Sequence, residues 1–452
     1  MGEPHVDQGL PARVLGEADL ARIDASLAAT DRLLAEGYPG DSGTRQPVHT
    51  VYVPADRFTP QLPAEWGAAA LAAADEAGGL EALARRVGLT PVLAAEVAPR
   101  VEAKLRSEPI EDLRIDFEDG YLAPGKAAGL PGAAGDAEAI EDAEAVRAAD
   151  SVAAALAAAT EGTASTTPFV GIRFKCFEEP TRRRGLRTLE LFVSRLAQTG
   201  ALGALGDGLV LTLPKVTTVD QVKAMAFAAD RLESALGLAP GRLGFEVQVE
   251  TPQLIIGPDG THPVAQLPHV ADGRITAFHY GTYDYSASLQ IAAAYQSMEH
   301  PAADFAKEVM QLAVAGTGIR LSDGSTNVLP LGDAAQREAA WELHARLVRR
   351  SLERGYYQGW DLHAHQLPTR YIATYAFYRE GLEAATTRLR NYVNQTAGAV
   401  LDEPATARAL AAFVLRGLQC GAVGADEVLA STALTELELT HLAHPRLAAA
   451  TN

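Results

Sequence analysis

Eight short apolar runs with the period of a β-strand recur along the chain, and stretches with the period of an α-helix separate them. The runs are "VHTVYVP" near Val48, "DLRIDFED" from Asp112, "PFVGIRFK" near Phe169, "GLVLTLPKV" near Leu209, "GFEVQVETP" near Phe245, "ITAFHYGTYDY" from Ile275, "GIRLSDG" near Ile319 and "GWDLH" near Trp360. The last two are the weakest. Helical period shows over 64–86, 138–159 and 219–236. Parallel neighbours need a long crossover, so strand–helix alternation predicts parallel strands. Eight such units predict an α/β fold, a (β/α)8 TIM barrel. The structural competitor is an open doubly wound sheet. No Gly-rich dinucleotide loop follows the first run, which counts against it.

The flanks read as helical. They give an N-terminal helical arm over 1–45, the barrel over 46–366 and a C-terminal helical extension over 367–452, packed on the barrel or on a neighbouring subunit. A Gly/Pro/Ala loop, "GYLAPGKAAGLPGAAGD", follows the second run. Loops of that length usually cover a site or stay disordered. No internal repeat is present, only alanine richness.

Composition bounds the function. The 452 residues are 48% hydrophobic and 21% charged, which is globular. A net charge of −18 repels phosphate backbones and anionic lipid, so no nucleic-acid or membrane partner is expected. Two cysteines, Cys176 and Cys420, are too few for a disulfide framework and fit a reducing compartment. The N-terminus has no secretory pattern and the alanine runs are too short to span a bilayer. The expectation is a cytoplasmic protein.

The polar residues near the strand ends carry the chemistry. Barrel active sites lie at the C-terminal ends of the strands. There the second run ends in Glu118 and Asp119, the third carries Arg173 and Lys175, and the fourth ends in Lys215. The fifth shows Glu246, Gln248 and Glu250 on one face, and the sixth leads into "HYGTYDYS" with Asp284. Carboxylates that converge repel unless a cation lies between them. Oxygen-rich pairs suit Mg²⁺ or Mn²⁺, which keep positions open for substrate oxygens. A nearby arginine binds a carboxylate or steadies an enolate oxygen. These groups together suit a small 2-oxo acid or its enolate.

The ordered set "TVYVP", "IDFEDG", "GIRF", "LPKV", "VETP", "GTYDYS" and "DLHAHQL" resembles the citrate lyase β-subunit / HpcH-HpaI aldolase family. That family belongs to the phosphoenolpyruvate/pyruvate-binding barrels, with malate synthase a more distant relative. The resemblance runs from about Thr50 to Leu367. It implies metal ligation by Glu250 and Asp284, and a substrate and enolate arginine at Arg173. It implies an acid/base role for Glu118 and Asp119 beside metal-bound water. Lys215, Gly281, Thr282 and His279 join Arg173 as expected substrate contacts. The chain departs from the pattern in four places. "HAHQ" has Ala364 where proline is usual, which unsettles the role of His363. Tyr283 and Tyr285 flank the metal turn. An insert separates Glu250 from Asp284, and "VPADRF" lacks the usual glycine.

The implied function is a divalent-metal-dependent carbon–carbon lyase, of aldolase or acyl-CoA lyase type, acting on a 2-oxo acid or a 3-hydroxyacyl thioester. Coenzyme A then enters as part of the substrate, and a homo-oligomer is expected. The alternatives are a CoA-thioester hydrolase, a malate-synthase-like condensing enzyme, and a catalytically silent barrel. Each site residue also has a plainer role. Glu250 and Asp284 could be salt-bridged rim acids, Asp119 a turn residue, and Lys215 the partner of a neighbouring acid. Arg173 could be the structural partner of Glu118. His279 and His363 could be satisfied packing histidines, and Cys176 simple packing.

Overall fold

The computed structural model describes residues 14–121, 133–162, 167–394 and 403–446. Most of the Gly/Pro/Ala loop lies outside them. The strands are β1 (His49–Pro54), β2 (Asp112–Asp116), β3 (Phe169–Arg173), β4 (Leu209–Leu213), β5 (Phe245–Val249), β6 (Ile275–Tyr280), β7 (Arg320–Ser322) and β8 (Gly359–Asp361). All eight expected runs are strands, and all pair in parallel. Their order, β7-β6-β5-β4-β3-β2-β1-β8, leaves β7 and β8 at the two ends. A parallel bridge from Ser322 to Gln358 joins those ends and closes the barrel.

Helix α1 (Glu17–Gly37) precedes β1, and α2 (Leu62–Glu76), α3 (Leu80–Arg86) and α4 (Pro91–Ser107) lead to β2. Next come α5 (Ala133–Thr160) before β3, α6 (Arg182–Thr199) and the short α7 (Ala201–Leu205) before β4, and α8 (Val219–Leu236) before β5. The short α9 (Pro252–Ile255) precedes β6, α10 (Thr282–Ser288) and α11 (Pro301–Val314) precede β7, and α12 (Ala334–Glu353) precedes β8. After β8 come α13 (Leu367–Val393), α14 (Pro404–Gln419), α15 (Ala425–Thr432) and α16 (Glu436–Ala443). The helix expected over 64–86 is broken. Gly78 and Gly79 take φ of +92° and +94°, where side chains are strained, so α2 stops and α3 starts afresh. Helix α13 packs against α12 and α4 and completes the outer ring. The barrel therefore takes in a helix that the sequence reading assigned to the extension. The rest of the extension, α14 to α16, packs on α13 and on itself. No residue of α1 is buried. Its last turn is held by Arg446, which donates to the carbonyls of Leu34 and Tyr38. Among the described residues no helix is long and apolar enough to cross a membrane.

Alternation along each strand sorts the side chains. Leu113, Ile115, Leu211, Leu213, Phe245, Val247 and Val249 are buried in one core cluster with the helices. The opposite face fills the barrel with charge and hydrogen bonds instead of the usual branched apolar layers. Arg114 is fully buried, pairs with both oxygens of Asp112, and reaches Glu246 Oε1 at 2.8 Å and Thr212 Oγ1 at 2.9 Å. Burial pushes the Asp112 carboxyl up. Burial opposes ionisation of Glu246 too, but Arg114 and His279 outweigh it and bring that carboxyl down to about 2.

A second buried cluster joins the ends of the fold between sheet and helices. Asp361 closes β8. It accepts from Arg370 of α13 at 2.9 to 3.2 Å, and lies 2.7 Å from His49 Nδ1 of β1 and 2.9 Å from His344 Nε2 of α12. Burial resists this charge, but Arg370 and then His344 hold the carboxyl well below its ordinary 3.8. Truncating Arg370 to alanine strands a buried anion, and the expected loss is about 3–5 kcal/mol in urea unfolding at pH 7. Because the native carboxyl titrates below the unfolded one, the difference from wild type is full above about pH 4 and shrinks as acid approaches the native value.

Candidate active site

Asp116 and Arg173 are register partners at the ends of β2 and β3. The guanidinium is clamped: Nε donates to Asp116 Oδ1 and Nη2 to Oδ2, each at 2.7 Å. Its flat face lies 4.7 Å from the ring centre of Tyr52, on β1. The remaining nitrogen, Nη1, stands 3.8 Å from Glu118 and 3.7 Å from Asp119. Those separations exceed a hydrogen bond, so Nη1 keeps donor capacity at the barrel mouth. Sequence reasoning named Glu118 as the structural partner, but the bidentate partner is Asp116. The alternation Asp112, Arg114, Asp116 against Leu113, Ile115, Phe117 was the available signal.

Glu118 and Asp119 lie in the turn after β2, where Asp116 accepts from the Glu118 and Gly120 backbone N–H groups at 3.0 Å. The two acids are pushed apart in acidity. Burial raises Glu118 to about 8, with the neighbouring Asp119 adding to the effect. Burial would raise Asp119 as well, but the hydrogen bond with Glu118, Arg173 and Lys215 together take it below its ordinary value. Lys215 follows β4 with a left-handed φ of +50°. That turn points its backbone N–H at Glu250 Oε1, 2.8 Å away. Its ammonium meets Asp119 at 2.7 and 2.9 Å, Glu118 at 3.1 Å and Asp284 at 3.6 Å. The structure thus brings Arg173, Glu118, Asp119, Lys215, Glu250 and Asp284 to one mouth.

Glu250 stands one residue beyond β5 and is 2% exposed. Desolvation, with the Asp284 charge nearby, raises its carboxyl to about 7. Glu250 is backed by one N–H and faced by Asp284, and the charges of Arg173 and Lys215 only partly offset its desolvation. Mg²⁺ and Mn²⁺ fit here, since they bind through one or two carboxylates and leave other positions to water or substrate. Among the described residues no group of three or more His, Cys, Asp or Glu forms an all-protein cage. Gly281 accommodates Glu250, because a Cβ there would lie 2.4 Å from Glu250 Oε2. Thr282, the first residue of α10, is buried, and its hydroxyl finds no hydrogen-bond partner among the described residues.

His279 lies deeper than the mouth. It is fully buried inside the barrel, with Nε2 2.9 Å from Glu246 and Nδ1 accepting from Trp360 Nε1 at 3.0 Å. The structure therefore gives it a place in the interior network and no opening toward a substrate. Lys175 is likewise engaged, by Glu141 at 2.8 Å and the Phe117 carbonyl at 2.7 Å. His363 accepts from the backbone N–H of His365 at 3.1 Å and starts a short turn. Sequence reasoning gave no role to Asp116 or Tyr52, and it put Gln248 on the inner face without its partner, Tyr52, to which the Gln248 amide donates at 3.1 Å.

The family model described as Domain of unknown function (DUF6986) matches residues 27–447. No curated protein matches the sequence. Among solved structures, a citrate lyase from Burkholderia xenovorans is similar, with a TM-score of 0.52 and 18% identity over 86% of this chain and 97% of that one. That likeness establishes the fold. A Haloferax volcanii malate synthase with magnesium and glyoxylate has a TM-score of 0.44 and 12% identity, covering 88% and 97% of the two chains. A citrate lyase beta subunit from M. tuberculosis with oxaloacetate and magnesium has a TM-score of 0.40 and 15% identity, covering 74% and 98%.

Adding a methyl group at Gly281 tests the Glu250 placement. Gly281→Ala is expected to fold, to displace the Glu250 carboxylate, and to weaken Mg²⁺ binding by about 10- to 100-fold in calorimetry, the scale of lost support behind a metal ligand.

Proposed function

We propose that this chain, which belongs to the DUF6986 family, is a divalent-metal-dependent carbon–carbon lyase that handles a 2-oxo acid or a 3-hydroxyacyl thioester through an enolate. The observation that carries the reading is Glu250, a buried carboxylate raised to about 7, facing Asp284 beside a clamped arginine. Glu250 and Asp284 would hold Mg²⁺ or Mn²⁺, which as a Lewis acid polarises a bound keto oxygen. Support from relatives is of the same kind. A citrate lyase beta subunit has been solved with oxaloacetate and magnesium, and a protein from the same organism with magnesium, acetoacetate and coenzyme A.

The chain's own groups then divide the labour. Arg173 offers Nη1–H to a substrate carboxylate or to the enolate oxygen, and its bidentate bond to Asp116 fixes the direction of that offer. Glu118 and Asp119 are adjacent acids whose environments separate their acidities, the usual mark of an acid/base division. Glu118, raised to about 8, holds a proton at neutral pH and is the donor; Asp119, lowered, stays ionised and is the acceptor. Lys215 bridges both acids and Asp284 and keeps three carboxylates together before substrate arrives. Gly281, which makes room for Glu250, and Thr282, with its unpartnered hydroxyl, would be the further substrate contacts. Coenzyme A, where used, is part of that substrate, and a homo-oligomer is the expected assembly.

Calorimetry with Mg²⁺ and Mn²⁺, alone and with pyruvate, oxaloacetate or glyoxylate, is the direct test. Metal binding tightened by a 2-oxo acid and lost in Glu250→Gln is the expected result. Failure of both ions to bind under every condition would overturn the proposal. Once a cleaved substrate is found, Glu118→Gln is expected to lower kcat by about 10²–10⁴-fold, the range for a lost general acid. The wild-type rate should fall as pH rises through about 8, where Glu118 gives up its proton. A pH-independent rate across that range would remove Glu118 from the donor role.

A further inference from the structure

Among the described residues, a large cavity lies away from the mouth just described. It has a volume of about 770 Å³ and lies at the opposite end of the barrel, where β2, β3, β4, β6 and β7 begin. The segment 39–47, which joins α1 to β1, forms one wall. It is pinned there by Gly40 N–H on the Gly316 carbonyl at 2.8 Å and by the Gln46 amide on the Leu321 carbonyl at 3.1 Å. Glu246 borders this cavity and Glu250 the other site, four residues apart on one strand, or about 13 Å. The filled interior separates the two. A volume of this size suits a metabolite, not a water cluster.

The charges lining it are mostly cancelled in place. Asp112 and Glu246 share Arg114. Arg45 pairs with Glu108 and Glu111, Arg274 with Glu233, and Asp41 lies 3.4 Å from Arg416. Arg320 and Arg242 are different. Each donates to neutral oxygens, Arg320 to the Thr44 carbonyl at 2.8 Å and to the Thr44 hydroxyl, and Arg242 to the Leu202 carbonyl at 2.7 Å. Neither has a carboxylate partner among the described residues, and Asp207 is the one lining acid that also lacks an ion pair there. We propose that this cavity is a second binding site, for a small phosphate-bearing metabolite whose phosphate is held by Arg320 and Arg242.

Guanidinium groups bind phosphate through paired N–H donors, and two of them match a phosphate monoester of charge near −2. Burial also pulls the pKa of Arg320 below its ordinary value despite Asp41 and Glu246 nearby, as expected of a cation that lacks a sufficient counter-charge. In a chain of net charge −18, keeping two arginines free of carboxylates in one concave wall has a cost that a bound anion offsets.

The test is calorimetry on the full chain with inorganic phosphate and with AMP, and with adenosine as the uncharged control. Saturable 1:1 binding of either phosphate compound, absent for adenosine, is expected. It should weaken at least about tenfold in Arg320→Gln and in Arg242→Gln, the loss of roughly one charged hydrogen bond. Glu250→Gln, at the other end of the barrel, should bind as wild type. Melting curves of the unliganded variants establish that they fold, and either variant serves if the other does not. No saturable binding of phosphate or AMP, or binding undiminished in a folded arginine variant, would overturn the proposal.

Discussion

Charge placed inside a barrel has to be cancelled where it stands, because water cannot reach it and desolvating an ion costs several kcal/mol. This constraint orders the interior of the molecule from one end to the other. At the lower end Arg114 lies between Asp112 and Glu246. Higher up, Gln248, Tyr52, Trp360 and His279 carry the network on through hydrogen bonds and ring contacts. At the top Asp116 takes the Nε and Nη2 edge of Arg173. Each level uses its charges on its neighbours until Glu250, which has one backbone donor and an acid opposite. At the mouth, cancellation by the chain's own charges is incomplete.

That sequence of levels explains what could be read in advance. Parallel strands alternate strictly, so "FEVQV" declared its inner face as Glu246 and Gln248, and the structure follows it. Glu118, Asp119, Arg173, Lys215, Glu250 and Asp284 gathered at one mouth because each follows or ends a strand, and barrel geometry brings strand ends together. The pairings were not legible. Asp116 and Glu118 are two residues apart and chemically similar. Which of them takes Arg173 depends on the register of β2 against β3, and one sequence does not set that register.

Other features were hidden for a different reason. The Asp361 cluster draws on His49, His344 and Arg370, which span most of the chain, and nothing local marks them as neighbours. His279 resembled a site residue because it lies two residues before Gly281. Its position on β6 nevertheless turns it inward at a level below the mouth. The break between α2 and α3 was visible as Gly78–Gly79 and was passed over because the apolar period continues on both sides.

The exposed helix α1 has a consequence for how the molecule loses its structure. A helix of 21 residues with none buried draws its stability from local hydrogen bonds and propensity, and such helices are marginal in water. Apart from the last turn, which Arg446 ties to the fold, its residues are expected to answer to a local helix–coil equilibrium. Amide hydrogens there exchange through fraying, on a schedule indifferent to a denaturant midpoint. The cooperative unit begins after the helix, where Gly40 and Gln46 are hydrogen-bonded to the rest of the fold. Thermodynamically, the chain is one folded body with a separately melting segment at its amino-terminal side.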